Sequence, residues 1–133
     1  MARRCPTAVV LGAGNVGGYA LEFGHYSKNW GGGVASITPS AVDEVWGVLF
    51  EVDESCIRAL DAFEGYPRVY TRKLLQVRLL ADSYDAWIYV LANRHDQSPP
   101  SPAYLGVILE ACTRFGFPQR YREAVVRAAV PAA

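Results

Sequence analysis

AVVLGAGNVGG, residues 8–18, reads in two incompatible ways, and the choice between them decides the fold. An apolar run followed by G-x-G-x-x-G, here Gly12, Gly14 and Gly17, is the phosphate-binding turn of a dinucleotide-binding βαβ unit. Glycines there let the backbone approach a pyrophosphate at a helix N-terminus. Such a unit also requires a helix opening at the third glycine, a second strand, and an acidic residue about 20 positions on to hold the ribose. None of these follows. Tyr19, Leu21 and Phe23 alternate with Ala20, Glu22 and Gly24, which is the period of a strand. From Phe23 to Val42 there is neither Asp nor Glu, and Trp30–Gly31–Gly32–Gly33 interrupts the chain where the second strand should begin. Dinucleotide binding through Gly12–Gly17 is therefore a distant third reading, and the stretch is read as strand and loop.

Working outward, residues 7–11 form an apolar run and 18–26 alternate; 34–38 form a short run closed by Pro39, and 44–52 place Trp46, Val48, Phe50 and Val52 on one face. Then the period changes. Asp53 is a helix N-cap, Ile57, Leu60 and Phe63 fall on one stripe, and Gly65 with Pro67 supplies the left-handed cap and the stop. Residues 69–80 and 84–91 read as a hairpin turning at Ala81–Asp82–Ser83, and HDQSPPSP reads as a loop. Ser101 caps a helix with Pro102 at its first position, and Tyr104, Val107, Ile108, Ala111, Cys112 and Phe115 follow at helical spacing until Gly116. A last helix spans about 118–129, with Tyr121, Ala124, Val125 and Ala128 on one side. The class is α+β, a small mixed-strand β-barrel with a few packed helices, and residues 1–133 form one domain.

Lys plus Arg equal Asp plus Glu at 13 each, so there is no electrostatic footprint for nucleic acid, and a small neutral partner is the simpler expectation. No run reaches the ~18 apolar residues of a membrane span, and the basic N-terminus lacks a signal-peptide core, so the expected location is cytoplasmic. Cys5, Cys56 and Cys112 are odd in number, widely spaced and without a C-x-x-C pair. They suggest neither a disulfide framework nor a zinc site, and with His25 and His95 the only histidines no metal centre is expected.

Glu64 is the residue that chemistry singles out. It sits in the last turn of its helix, where the macrodipole presents partial negative charge and destabilises a carboxylate by ~0.3–1 kcal/mol. Phe63, Tyr66 and Pro67 beside it predict partial desolvation and a raised pKa, as a carboxylate that is both base and acid near neutrality requires. The competing reading is a surface residue before a glycine cap. Tyr70 and Tyr104 read either as pocket-lining residues or as core residues with a hydroxyl at the rim. Gly31–Gly32–Gly33 reads either as a ligand-approaching loop or as a turn or bulge. Ser27, Ser36 and Cys56 lack a nucleophile elbow and an identifiable base, so covalent catalysis is not expected.

WGGGVASITPSAVDEVWGVLFEVD (30–53), LDAFEGYPRVYTR (60–72) and PPSPAYLGVILEACTRFGFPQRY (99–121) resemble, in order, spacing and wording, the gamma-glutamylcyclotransferase family with its gamma-glutamylamine-specific and AIG2-like relatives. The resemblance covers about residues 5–125. In its light AVVLGAGNVGGYALEF looks like the family's second strand, loop and third strand. The resemblance implies a small barrel with a central cavity and a cofactor-free acyl transfer. In it, the α-amine of a γ-glutamyl amino acid or amine attacks its own γ-carbonyl, giving 5-oxoproline and the free amine. By position, Glu64 matches the family's catalytic glutamate. Tyr70 falls on the tyrosine after the E-G segment and Tyr104 on the tyrosine of the P-S-P-x-Y helix start; both, with Tyr89 in WIYVLAN, are implied as substrate contacts.

The sequence departs from the family in one respect: a first strand ending in a tyrosine-glycine-serine-asparagine turn is absent. Residues 1–6, MARRCP, resemble the end of the helix that follows that turn, so the chain is expected to begin about one strand and most of a helix late. The alternative to an enzyme is a non-catalytic module of the same fold that binds γ-glutamyl ligands or forms a homodimer through an exposed sheet edge.

Overall fold

In a computed structural model, residues 4–93 and 96–130 are described. The comparison of residues 1–3 with a helix end, and His95, lie outside them. The glycines of the opening stretch interrupt no strand: β1 runs from Val9 to Ser27 and passes through all of them. Gly12 and Gly18 take φ of 141° and 84°, which glycine reaches without steric cost. Gly14 lies so close to the Val77 side chain and the Arg78 carbonyl that a Cβ would not fit, beside the antiparallel pair Asn15–Arg78. These glycines let one strand approach another, and the loop and break expected at 12–18 are replaced by continuous strand.

β2 runs from Gly32 to Glu51, through Pro39. The strand order is β2-β1-β3-β4, so β2 is an edge, where a missing N–H costs no ladder bond, and Pro39 does not end the strand as its residue type suggested. β3 (Tyr70–Leu79) and β4 (Asp82–Leu91) form an antiparallel hairpin pairing Tyr70 with Leu91 through Leu79 with Asp82. Its turn is Leu80–Ala81, not 81–83. Leu80 enters the left-handed region at φ 56° and is almost wholly exposed. The α+β class holds; the four strands form an open sheet with β2 and β4 at its edges, not a closed barrel.

Three helices complete the chain: α1 (Glu54–Glu64), α2 (Pro102–Arg114) and α3 (Gln119–Ala129). The fold gathers into two units, each described by itself. One contains Gly17–Trp46 and the described residues beyond Asn93. Its core is Phe23, Cys112, Tyr121 and Val125, with Trp46, Ile108 and Phe117 packed against it. Ser101 caps α2 by accepting from the Tyr104 amide, as its position predicted. Val107, expected on the apolar stripe, is exposed. The segment 97–99 docks along the strands: Ser98 N donates to Phe23 O at 3.1 Å and Gly33 N to Pro99 O at 2.9 Å. A Cβ on Gly32 or Gly33 would strike the backbone of 98–101. Gly32 and Gly33 thus serve approach of the chain to itself, and Gly31, at φ 73°, makes the turn.

The other unit contains the chain up to Val16 and Gly47–Asn93. Here Cys5 and Cys56 form a disulfide, Cα to Cα 5.2 Å, against the expectation that the cysteines would be unpaired. Spacing hid it because β1 and β2 travel out and back between the two residues. Cys112 is free and buried in the first-described unit. No helix among the described residues is long and apolar enough to cross a membrane.

Candidate active site

α1 is delimited as its sequence dictates. Asp53 accepts from the Cys56 amide at its start; at its end Gly65 adopts φ 67° and its N–H donates to Ala62 O. Tyr66 N donates to Asp61 O at 2.9 Å, closing the last turn. Cys56 and Leu60 are the buried residues of the helix, whereas Phe63, expected on the same stripe, is exposed with the Arg4 guanidinium 3.3 Å from its ring centroid. The helix terminates on Glu64, and no basic residue occupies its last turn.

Glu64 lines a cavity of about 700 Å³, within the range of small-molecule sites. The wall is largely aliphatic and aromatic, with Val48 and Phe50 from β2, Val52 just after it, Ile57 and Leu60 from α1, and Trp87 and Tyr89 from β4, and it also carries the carboxylates of Glu51 and Asp85. Burial pushes the Glu64 carboxyl above its ordinary range, and the Arg4 charge pulls it partly back. The helix C-terminus acts in the same upward direction as burial. A half-buried carboxylate that holds its proton more tightly than usual is suited to take a proton from an ammonium and return it to a leaving nitrogen.

Tyr89 shares this cavity with Glu64. Its hydroxyl donates to Asp61 Oδ1 at 2.6 Å, and burial together with Asp61 raises the phenol well above a normal tyrosine. Tyr70, implied as a substrate contact, opens β3 opposite Leu91 and is not among the described residues of the cavity wall. Tyr104 belongs to the other unit, where its oxygen accepts from Ala35 N at 2.8 Å and its ring meets Phe23 and Trp30 edge-on. Cys56 is held in the disulfide, Ser27 Oγ accepts from Trp30 N in the other unit, and the carboxylates that line the cavity are those of Glu51, Glu64 and Asp85.

Two residues escaped the sequence reading. Asp61 lies one turn before Glu64 on the same helix face, a spacing visible in LDAFEG. Arg72 lies opposite Tyr89 in the hairpin, and its Nε is 3.4 Å from Asp61 Oδ1.

The model of the AIG2-like family matches residues 44–125. The chain is 34% identical to the gamma-glutamylcyclotransferase of Mus musculus over 125 residues and 30% identical to that of Homo sapiens over 128 residues. Each alignment covers 90% of this chain and 66% of the relative, so the chain spans about two thirds of the length of these proteins. A shorter match, 43% over 57 residues, joins 37% of the chain to 38% of the gamma-glutamylaminecyclotransferase of Rattus norvegicus. Among solved structures, a gamma-glutamyl cyclotransferase superimposes with a TM-score of 0.88 at 28% identity, covering 98% of this chain and 80% of that one.

Proposed function

The chain belongs to the AIG2-like family, and from that premise we propose that it cyclises γ-glutamyl amino acids or γ-glutamyl amines to 5-oxoproline with release of the free amino acid or amine. The observation that carries this reading is the raised, half-buried Glu64 at the end of α1, facing an otherwise largely apolar cavity of about 700 Å³. Glu64 takes a proton from the substrate α-ammonium. The amine nitrogen then bonds to the γ-carbonyl carbon and closes a five-membered ring. As the tetrahedral intermediate collapses, the bond from that carbon to the leaving nitrogen breaks, Glu64 returns the proton to that nitrogen, and the ring nitrogen gives up its second proton, which the released amine takes up to leave as an ammonium. No cofactor enters this cycle.

Little apparatus is needed because nucleophile and electrophile belong to one molecule. Effective concentrations of ~10⁵ M or more are available once the folded-back conformer is held. The cavity wall supplies the holding surface, and the half-buried setting of Glu64 strengthens the electrostatics of its carboxylate. The reaction fits a cytoplasmic setting. The Cys5–Cys56 disulfide pulls against that location, since reducing compartments keep such pairs open.

The test is 5-oxoproline release, followed by mass spectrometry, from a panel of γ-glutamyl amino acids and amines, with the intact chain beside Glu64→Gln. The variant is expected to lose at least ~10²–10⁴-fold in turnover while keeping its circular-dichroism spectrum. A Gln variant retaining most of the rate sinks this mechanism. A folded chain that binds γ-glutamyl compounds without product is a binding module of the same fold.

A further inference from the structure

Arg72 and Tyr89 face each other across the β3–β4 ladder, and both reach Asp61 on α1. The Tyr89 hydroxyl donates to Asp61 Oδ1 at 2.6 Å, and Arg72 Nε lies 3.4 Å from the same oxygen. The guanidinium carbon is 4.7 Å from the Tyr66 ring centroid and 4.8 Å from that of Trp87, so two aromatic faces fix where the charge sits. Trp87 and Tyr89 line the Glu64 cavity, and Asp61 and Glu64, three positions apart, are neighbours on α1.

A phenol has one proton to donate. Once Asp61 receives it, Tyr89 offers the cavity lone pairs alone. Resting on the cyclotransferase reading above, we propose that Asp61, braced by Arg72, is a positioning residue that commits Tyr89 to accept a hydrogen bond, so that the substrate α-ammonium is held between the Tyr89 oxygen and the Glu64 carboxylate.

The arrangement discriminates among the groups of a γ-glutamyl compound. A substrate carboxylate or carbonyl brought to Tyr89 meets lone pairs facing lone pairs, whereas an ammonium brings three donors. It also persists through the proton transfer. After Glu64 removes one proton the amine keeps two N–H bonds, and the one donated to Tyr89 fixes the rotation of the nitrogen. Its new lone pair is thereby aimed, which is the orientational requirement of ring closure. Glu64 moves the proton; Tyr89 aims the nitrogen; Asp61 decides which way Tyr89 bonds.

The experiment compares steady-state kinetics of the intact chain with Asp61→Leu, Asp61→Asn, Tyr89→Phe and the Asp61→Leu/Tyr89→Phe double variant. Each of Asp61→Leu and Tyr89→Phe is expected to lose about 10–10²-fold in kcat/KM, and the double variant no more than either alone, because both remove one interaction. Asp61→Asn, whose amide oxygen still accepts the phenol proton, is expected to keep most of the rate. Multiplied losses in the double variant, or an unchanged Asp61→Leu, overturn the proposal. A second readout does not depend on turnover or on Asp61→Leu folding. The tyrosinate absorbance difference between the wild type and Tyr89→Phe isolates this phenol, which is expected to ionise well above an ordinary tyrosine and to come down in Asp61→Asn. An ordinary titration in the wild type overturns the Asp61–Tyr89 link. Turnover that needs Glu64 yet ignores Asp61 refutes this proposal and leaves the functional reading standing; a wild-type chain with no product refutes both.

Discussion

Phe23 and Phe50 sit on adjacent strands of one sheet and read alike in the sequence, each an aromatic in an alternating run. They are used oppositely. Phe23 is 3% exposed in a core closed by Cys112, Tyr121 and Val125, whereas Phe50 is half-buried on the wall of the Glu64 cavity. The tyrosines repeat the contrast: Tyr104 accepts a backbone amide within its packed unit, and Tyr89 donates to a carboxylate on a cavity wall. Apolar alternation thus states that a face is covered. It does not state whether protein or ligand covers it.

The sharpest way to break that comparison is to truncate both phenylalanines. Phe23→Ala is expected to cost about 3–5 kcal/mol, since it opens a void in a packed core. Phe50→Ala, which enlarges space already present, is expected to cost about 1–2 kcal/mol and to raise KM instead. Urea unfolding of the two variants decides it; equal losses would mean that both units are packed alike.

A smaller effect sharpens the contrast at Glu64. Its folded-state pKa is raised, so its contribution to stability is fully present below the unfolded carboxyl pKa of about 4.3 and is lost as pH rises through the folded value. At neutral pH the charged form therefore costs stability. Glu64→Gln, although inactive, is expected to be more stable than the wild type by ~0.3–1 kcal/mol at pH 7, with the gap closing in acid. Thermal unfolding across pH measures this, and a variant less stable at pH 7 would show that Glu64 is well solvated. The smallest effect is expected at the hairpin turn. Leu80→Gly relieves a left-handed, exposed leucine and is expected to gain about 0.5–1 kcal/mol, readable as a raised unfolding midpoint.

The helices were legible because their punctuation is local. Asp53, Gly65, Ser101 and Pro102 each act within one turn of where they stand, and each cap lies where its residue type predicted. The place of Glu64 at the end of its helix was legible for the same reason. Register was not. A turn at 81–83 sets Leu80 opposite Tyr84 and so Tyr89 opposite Leu75, whereas the turn at 80–81 sets Tyr89 opposite Arg72. Leu80 gave no warning, because a branched apolar residue is a poor occupant of left-handed backbone. The Asp61–Arg72–Tyr89 cluster vanished with that shift of the ladder. Gly12, Gly14 and Gly18 misled similarly: a glycine marks permission for unusual backbone or close approach, and the sequence does not say which strand exercises it.

The Cys5–Cys56 bond gives the chain a covalent topology that its secondary structure does not reveal. The two residues are 51 positions apart and enclose the whole of β1 and β2, including Gly17–Trp46 of the other unit. Lys28 lies exposed in the turn between those strands. A protease that cuts there severs the backbone without releasing either piece, since both ends remain fastened through the sulfurs. The nicked molecule migrates as one species until a reductant parts it into two.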